Sequence, residues 1–327
     1  MTYWNVEQKT SPVPLSKDDG YLEQLRNPTQ AMLLDSELRS RLLVFGTPES
    51  AEAKTEASAQ LAFLNDAGNS NTLETLAFIQ RPQESFFQGQ LKWVRADSDL
   101  RVDRMPEIQV QLSDMLSFFG AQFYLDNGRR RKTLLYLSVT LTVAIHVAAL
   151  MKFHLRQNRP VDYAPEVQPV IQTPDHSSFP AGHSIEAFAI AQVLHRFMSG
   201  EKAKASIASC FDISDSKNLP FLLAHRISTN RVVAGVHFPI DCRAGAYIGL
   251  ILGDLIYNLG ADRSGDAGGP RSISIQDGGA LSFEGTGESD FLLSNFSEIG
   301  QTKEKGGIQP LAIARHLWAG AAAEWKF

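Results

Sequence analysis

Three separated segments of the chain combine cations, histidine and glycine. They are Lys152-Phe-His-Leu-Arg-Gln-Asn-Arg159-Pro160, Phe179-Pro-Ala-Gly182-His183-Ser184, and Arg231-Val-Val-Ala-Gly-Val-His237-Phe-Pro-Ile-Asp241. Together they supply three fixed cations, a glycine beside a histidine, and a second histidine four residues before an aspartate. That inventory suits a tetrahedral oxyanion that becomes five-coordinate during reaction. A transferring phosphoryl group needs positioning and charge neutralisation more than covalent help.

The spacings carry physical content. Lys152 and Arg159 are seven apart, so on a helix they share one face and can clamp one anion from two sides. Pro160 discourages further helix. Pro180-Ala181-Gly182-His183 precedes an apolar run at 185–194, which reads as a helix start. Free backbone N–H groups and the helix dipole attract an anion at such a terminus, and glycine permits close approach. His237 and Asp241 are i and i+4, so a helix beginning near Pro239 brings the carboxylate beneath the imidazole. An aspartate bonded to one ring nitrogen fixes the tautomer and leaves the other free to attack or ligate.

These segments, in this order, resemble the signature K-x6-RP, PSGH, SR-x5-H-x3-D. It is shared by type 2 phosphatidic acid phosphatases, bacterial acid phosphatases and vanadium-dependent haloperoxidases. Lys152, Arg159 and Pro160 match the first part, Pro180, Gly182 and His183 the second, and Arg231, His237 and Asp241 the third. Ala181 and Asn230 each replace a serine of the pattern. The resemblance covers roughly residues 110–260. It implies that His237 is the phosphorylated nucleophile of a phosphatase, or the sole protein ligand to vanadium in a haloperoxidase. It implies that Asp241 orients His237 and that His183 is the general acid/base. Lys152, Arg159, Arg231, the Gly182 N–H and the Ala181 position would hold the anion's oxygens.

His176 lies five residues before Ala181, an offset at which bromoperoxidase-like haloperoxidases often carry a histidine that could tune a bound peroxide. A proline-punctuated loop at 160–174 is reminiscent of the same proteins. The first expectation is therefore a haloperoxidase-like enzyme that oxidises halide with hydrogen peroxide at a His237-ligated vanadate. The second is an acid phosphatase working through a phosphohistidine, with phosphate in the same site. The third is an impaired phosphate- or vanadate-binding protein, motivated by the missing hydroxyl at Ala181. On that view, Ala181→Ser would tighten anion binding.

The elements that must position these residues read as helices. Helical stretches are expected at 27–45, 47–65, 72–80, 86–94 and 106–125, then in a long helix to about 156. Others are expected at 183–199, 218–229, 239–259 and 311–325. Alanine-rich content supports 47–65, and no strand-like alternation recurs. The expected fold class is all-α, a helical bundle of the phosphatidic acid phosphatase/haloperoxidase type with additional N-terminal helices. Residues 1–105 would form an N-terminal helical region packing on the core and 106–260 the catalytic domain. Residues 261–327 would form a loop-rich C-terminal segment with a terminal helix.

Composition limits the partners. The net charge is −5 over 327 residues, so no basic field points to nucleic acid. The positive charge is local, as a small anion requires: hydrogen peroxide with halide, or a phosphate ester, are the expected partners, and self-association is left open. Residues 134–151 form an 18-residue uncharged run, which is a membrane-span candidate by length. Its Ser138, Thr140, Thr142 and His146, and a mean hydropathy of −0.15 for the chain, favour a buried core helix. The N-terminus lacks an apolar signal segment, so a cytoplasmic or otherwise soluble location is expected. Cys210 and Cys242 form no CxxC pair.

Overall fold

The computed structural model describes residues 20–52, 55–66, 71–199, 218–261, 273–277, 280–281, 291, 303–308 and 310–325. The helices are α1 (Gly20–Gln24), α2 (Asn27–Arg39), α3 (Glu84–Asp97), α4 (Arg101–Gln111), α5 (Leu116–Phe123), α6 (Arg131–Leu155), α7 (Pro160–Tyr163), α8 (Gly182–Ser199), α9 (Leu219–Val233), α10 (Pro239–Gly260) and α11 (Ala312–Ala323). The strands are β1 (Leu42–Thr47), β2 (Ser58–Asp66), β3 (Asn71–Gln80), β4 (Ile273–Asp277), β5 (Ala280–Leu281) and β6 (Lys303–Ile308). The architecture is mainly helical, as the apolar periodicity implies.

α8 is the central helix. It is buried along most of its length and packs on α6, α9 and α10. Its contact with α10 is unusually close because Gly245, Gly249 and Gly253 form a stripe of four-residue spacing facing it. A Cβ at Gly245 would lie 2.5 Å from the Ala181 carbonyl oxygen, and one at Gly249 2.5 Å from that of Ile185. Glycine is thus a packing requirement here, and the stripe draws the start of α8 against the start of α10. Gly249→Ala is expected to destabilise the protein by about 1–3 kcal/mol through overpacking against backbone. Thermal unfolding of the variant, with a clearly lowered midpoint, checks this.

The N-terminal region corrects part of the sequence reading. The expected helices at 47–65 and 72–80 are instead strands: β1, β2 and β3 form an antiparallel meander, with β5 added parallel to β3. The 27–45 stretch divides into α2 and β1. β2 is buried on both faces, Ala59, Leu61 and Phe63 on one and Ala62 on the other. A strand covered on both sides loses the alternation that would betray it, and tertiary burial overrides alanine's helical preference. The 106–125 stretch is two helices, α4 and α5, and α4 runs through the 105/106 boundary. Much of 261–307, Cys210 and the turn at 67–70 lie outside the described residues. β4, β5 and β6 lie within the segment expected to be loop.

The meander grips the C-terminal end of α6, where Lys152 sits. The His154 ring fills the space above Gly46, where a Cβ would lie 2.2 Å from it. Arg81 donates to the carbonyls of Leu155 and Arg156 and pairs with Glu49 and Glu56. At the other end of α6, the Glu324 carboxylate accepts from the N–H groups of Lys132 and Thr133, both at 2.8 Å. Glu324 closes α11, so the terminal helix does pack back. A carboxylate there satisfies otherwise unpaired first-turn donors and complements the dipole. Among the described residues, the stretch Arg131–Tyr163 alone is long and apolar enough to cross a membrane, by length and composition. Of its most apolar window, 56% is buried inside the protein.

Candidate active site

A cleft of about 1000 Å³ opens where α6, α8, α9 and the loops at 156–159 and 171–177 meet. Lys152, Arg159, His176, Gly182, His183, Arg231 and His237 all line it. The fold therefore gathers the three sequence segments on one wall system. Asp241 lies behind His237, fully buried.

His237 precedes α10 and Asp241 occupies that helix's third position. One carboxylate oxygen, Asp241 Oδ2, accepts from His237 Nδ1 at 3.0 Å and from the Phe238 N–H at 2.9 Å. It also accepts from the Ser178 hydroxyl in a short contact. Arg159 Nη1 approaches His237 Nε2 at 3.2 Å. A guanidinium only donates, so Nε2 carries the lone pair and Nδ1 the hydrogen. Burial holds His237 well below the usual histidine range, and the cations of Arg159 and Lys152 push it further down. A neutral imidazole with a directed Nε2 lone pair is the form a nucleophile needs. Burial pushes the Asp241 carboxyl up, opposed by the Ser178 and Phe238 donors.

The cations differ in how they are held. Lys152 Nζ donates to the carbonyls of Ser177 at 2.6 Å and Ser178 at 3.1 Å. An ammonium has three donors, so one remains for a ligand. Burial, then Arg159, lowers the Lys152 pKa. Arg159 spends its donors on the carbonyls of Val236, His176 and Ser177 as well as on His237. It therefore ties the 176–178 loop to the His237 turn. Arg231 is 1% exposed, and its Nη2 donates to Gln111 Oε1 at 3.0 Å. Its Nε and Nη1 are buried without an acceptor among the described residues. Two unpartnered guanidinium donors in a buried wall suit an oxyanion, because leaving them unpaired is costly. Burial lowers Arg231 to about 10, so it stays charged at neutral pH.

α8 begins at Gly182, so its first-turn N–H groups lack intrahelical acceptors. His183 Nε2 lies 3.1 Å from the Gln111 carbonyl oxygen. A carbonyl only accepts, so Nε2 carries the hydrogen and Nδ1 is the basic nitrogen. Burial, then Arg231, lowers His183 to about 3. An arriving anion opposes the Arg231 contribution and favours proton uptake. His176 faces Arg159 Nη2 through Nδ1 at 3.1 Å, on the rim. Its contact is thus with a cation that itself touches His237.

Ala181 is the exception among the expected anion-binding residues. It is fully buried and does not line the cleft. Its N–H donates to the Asp241 carbonyl at 2.9 Å, and its own carbonyl abuts Gly245. The residue is committed to the α8–α10 junction. Ala181→Ser is accordingly expected to leave phosphate affinity within about twofold of the parent, contrary to the tightening expected from the sequence, because position 181 is packed into the α8–α10 junction. Calorimetric titration of inorganic phosphate checks this.

Three residues escaped the sequence reading. Ser178 bonds Asp241, and Gln111 contacts both His183 and Arg231. Glu186 lines the cleft one turn beyond His183. Only Glu186 left a sequence signal, its i+3 spacing from His183. Gln111 is 72 residues from His183 and 120 from Arg231, so nothing local marks it.

Residues 133–264 match the family model described as the PAP2 superfamily. Two curated relatives, from Mycobacterium tuberculosis strains CDC 1551 / Oshkosh and ATCC 25618 / H37Rv, are both named decaprenylphosphoryl-5-phosphoribose phosphatase. Each is 27% identical over 135 residues, covering 41% of this chain and 66% of the relative. The solved structure of Aquifex aeolicus LpxE aligns with 50% of this chain and 92% of its own, at 23% identity and a TM-score of 0.32.

Proposed function

We propose that this protein is a phosphatase that hydrolyses phosphate monoesters through a phosphohistidine at His237, a reading supported by the match of residues 133–264 to the PAP2 superfamily model. The observation that carries the reading is the Asp241–His237–Arg159 chain, which directs a neutral Nε2 into a cleft walled by unpaired Arg231 donors. Nε2 attacks phosphorus as the ester P–O bond breaks. Lys152, Arg231 and the first turn of α8 neutralise the oxygens, and His183, protonated on Nδ1 as the anion arrives, delivers that proton to the departing alcohol. Water then cleaves the P–N bond, with His183 accepting its proton.

Exposed Leu112, Ile145 and Phe153, between 48% and 64% accessible, stand at the cleft mouth. They favour an alcohol with apolar surface next to the phosphate. The mycobacterial relatives, named for a decaprenylphosphoryl compound, point the same way. Vanadate has the phosphoryl group's shape, and the unpartnered Arg231 donors suit it; bound there, it would mimic the five-coordinate state. The named relatives are phosphatases, which favours hydrolysis over the halide oxidation suggested by His176. An impaired binding protein, motivated by Ala181, is distinguished by phosphate binding without turnover.

The test is turnover of aryl and alkyl phosphates in chelator, with and without vanadate, beside peroxide-dependent bromination of the vanadate-loaded protein. Metal-independent hydrolysis inhibited by vanadate is expected. Bromination without hydrolysis would overturn the proposal.

A further inference from the structure

Glu186 places a carboxyl group inside an anion cleft. It lies on α8 one turn beyond Gly182, and its side chain leans back over that turn, as helical side chains do. A Cβ built on Gly182 would lie 3.4 Å from Glu186 Oε1 and 3.8 Å from Lys152 Cε. The carboxyl and the lysine stem therefore flank the backbone that cradles the anion. Lys152 from α6 and Arg231 from α9 act on it electrostatically. His183 stands one turn earlier on its own helix. Arg159, His176 and His237, backed by Asp241, occupy the same cleft.

An ionised carboxylate touching a phosphoryl group repels it, at close range and in a buried setting where the cost is high. The conflict disappears when the two share a proton. We propose that Glu186 engages the bound oxyanion as a neutral carboxylic acid, donating its O–H to a non-bridging oxygen. No bond to phosphorus changes: the acid proton stays on Glu186 Oε and bridges to the anion. Burial raises the Glu186 carboxyl to about 7, which agrees with this geometry. The consequence is linkage. Below its titration Glu186 already carries the proton. Above it, binding requires proton uptake, and anion affinity falls by about tenfold per pH unit.

This inference deepens the phosphatase reading and rests on the cleft being an oxyanion site. The probe is sulfate, which has the same geometry and stays a dianion throughout. Titration calorimetry in two buffers of different ionisation enthalpy, at about pH 8, counts protons taken up. The parent is expected to take up more than Glu186→Gln, by less than one proton, because the amide donates without titrating while Lys152, which loses the support of the Glu186 carboxylate in the variant, takes up somewhat more there. At about pH 6, Glu186→Gln should bind within a few-fold of the parent, and Glu186→Met about tenfold more weakly. Equal proton uptake by parent and Glu186→Gln, with sulfate bound, overturns the role of Glu186 and leaves the phosphatase reading standing. Absence of sulfate binding in the folded parent overturns both.

Discussion

Replacing His237 by alanine is expected to abolish turnover, with a loss of roughly 10⁴-fold or more, because the Nε2 oriented through Asp241 is the atom that forms the bond to phosphorus. The fold should survive. Asp241 Oδ2 keeps the Ser178 hydroxyl and the Phe238 N–H after the imidazole is gone. Anion affinity should change only a few-fold, since the positive charge comes from Lys152 and Arg231 and the neutral imidazole adds none. The measurement pairs kinetics with trapping. Parent protein quenched during turnover should carry phosphate stable to alkali and labile to acid, and the variant should carry none. A variant that keeps parental activity would remove His237 from the reaction and with it the mechanism proposed.

Replacing His183 by alanine is expected to lower kcat/KM by roughly a hundredfold or more for an alkyl phosphate. The effect should be smaller for an aryl phosphate with an acidic phenol, because that leaving group needs little protonation. This split distinguishes general acid catalysis from a general loss of structure, which would slow both substrates alike. Anion binding should persist: His183 is held neutral by burial and Arg231, so its removal subtracts no standing charge. Equal losses on both substrates, or a large loss of phosphate affinity with normal turnover, would contradict the role. The Gln111 carbonyl that positions the ring belongs to the backbone, so the fold of α4, not a side chain, sets which nitrogen acts.

The two variants probe different levels of organisation. His237 is oriented by a residue four positions away on the same helix start, a local device. His183 is oriented by a helix from the N-terminal region, and so is Arg231, through Gln111 Oε1. Residues before the stretch that matches the PAP2 superfamily model are thus part of the site's support. The meander does the same for Lys152 through His154, Gly46 and Arg81.

Local spacing by itself marked the candidate site. The i,i+4 relation of His237 and Asp241 and the Gly182-His183 start of an apolar run are short-range patterns that depend on helix starts and on proline and glycine punctuation, which sequence displays directly. The seven-residue step from Lys152 to Arg159 is different: α6 ends at Leu155, so the loop at 156–159, and not a shared helix face, brings the two cations to one cleft. The long apolar runs made α6, α8, α10 and α11 legible for the same reason. Halide oxidation against phosphate hydrolysis was not legible, because both use one cradle and the deciding bias came from a rim histidine.

Tertiary structure alone decided the rest. The N-terminal strands were hidden because β2 is buried on both faces, which erases period-two alternation. Ala181 looked like a ligand position until the α8–α10 glycine stripe was seen to bury it. Gln111 joined the site across 72 and 120 residues of chain, and Glu186 became a carboxyl among cations only when α6 and α9 closed over it. Such features arise from which surfaces meet in the packed protein. That is a property of burial and close approach between distant segments, which the order of neighbouring residues does not encode on its own.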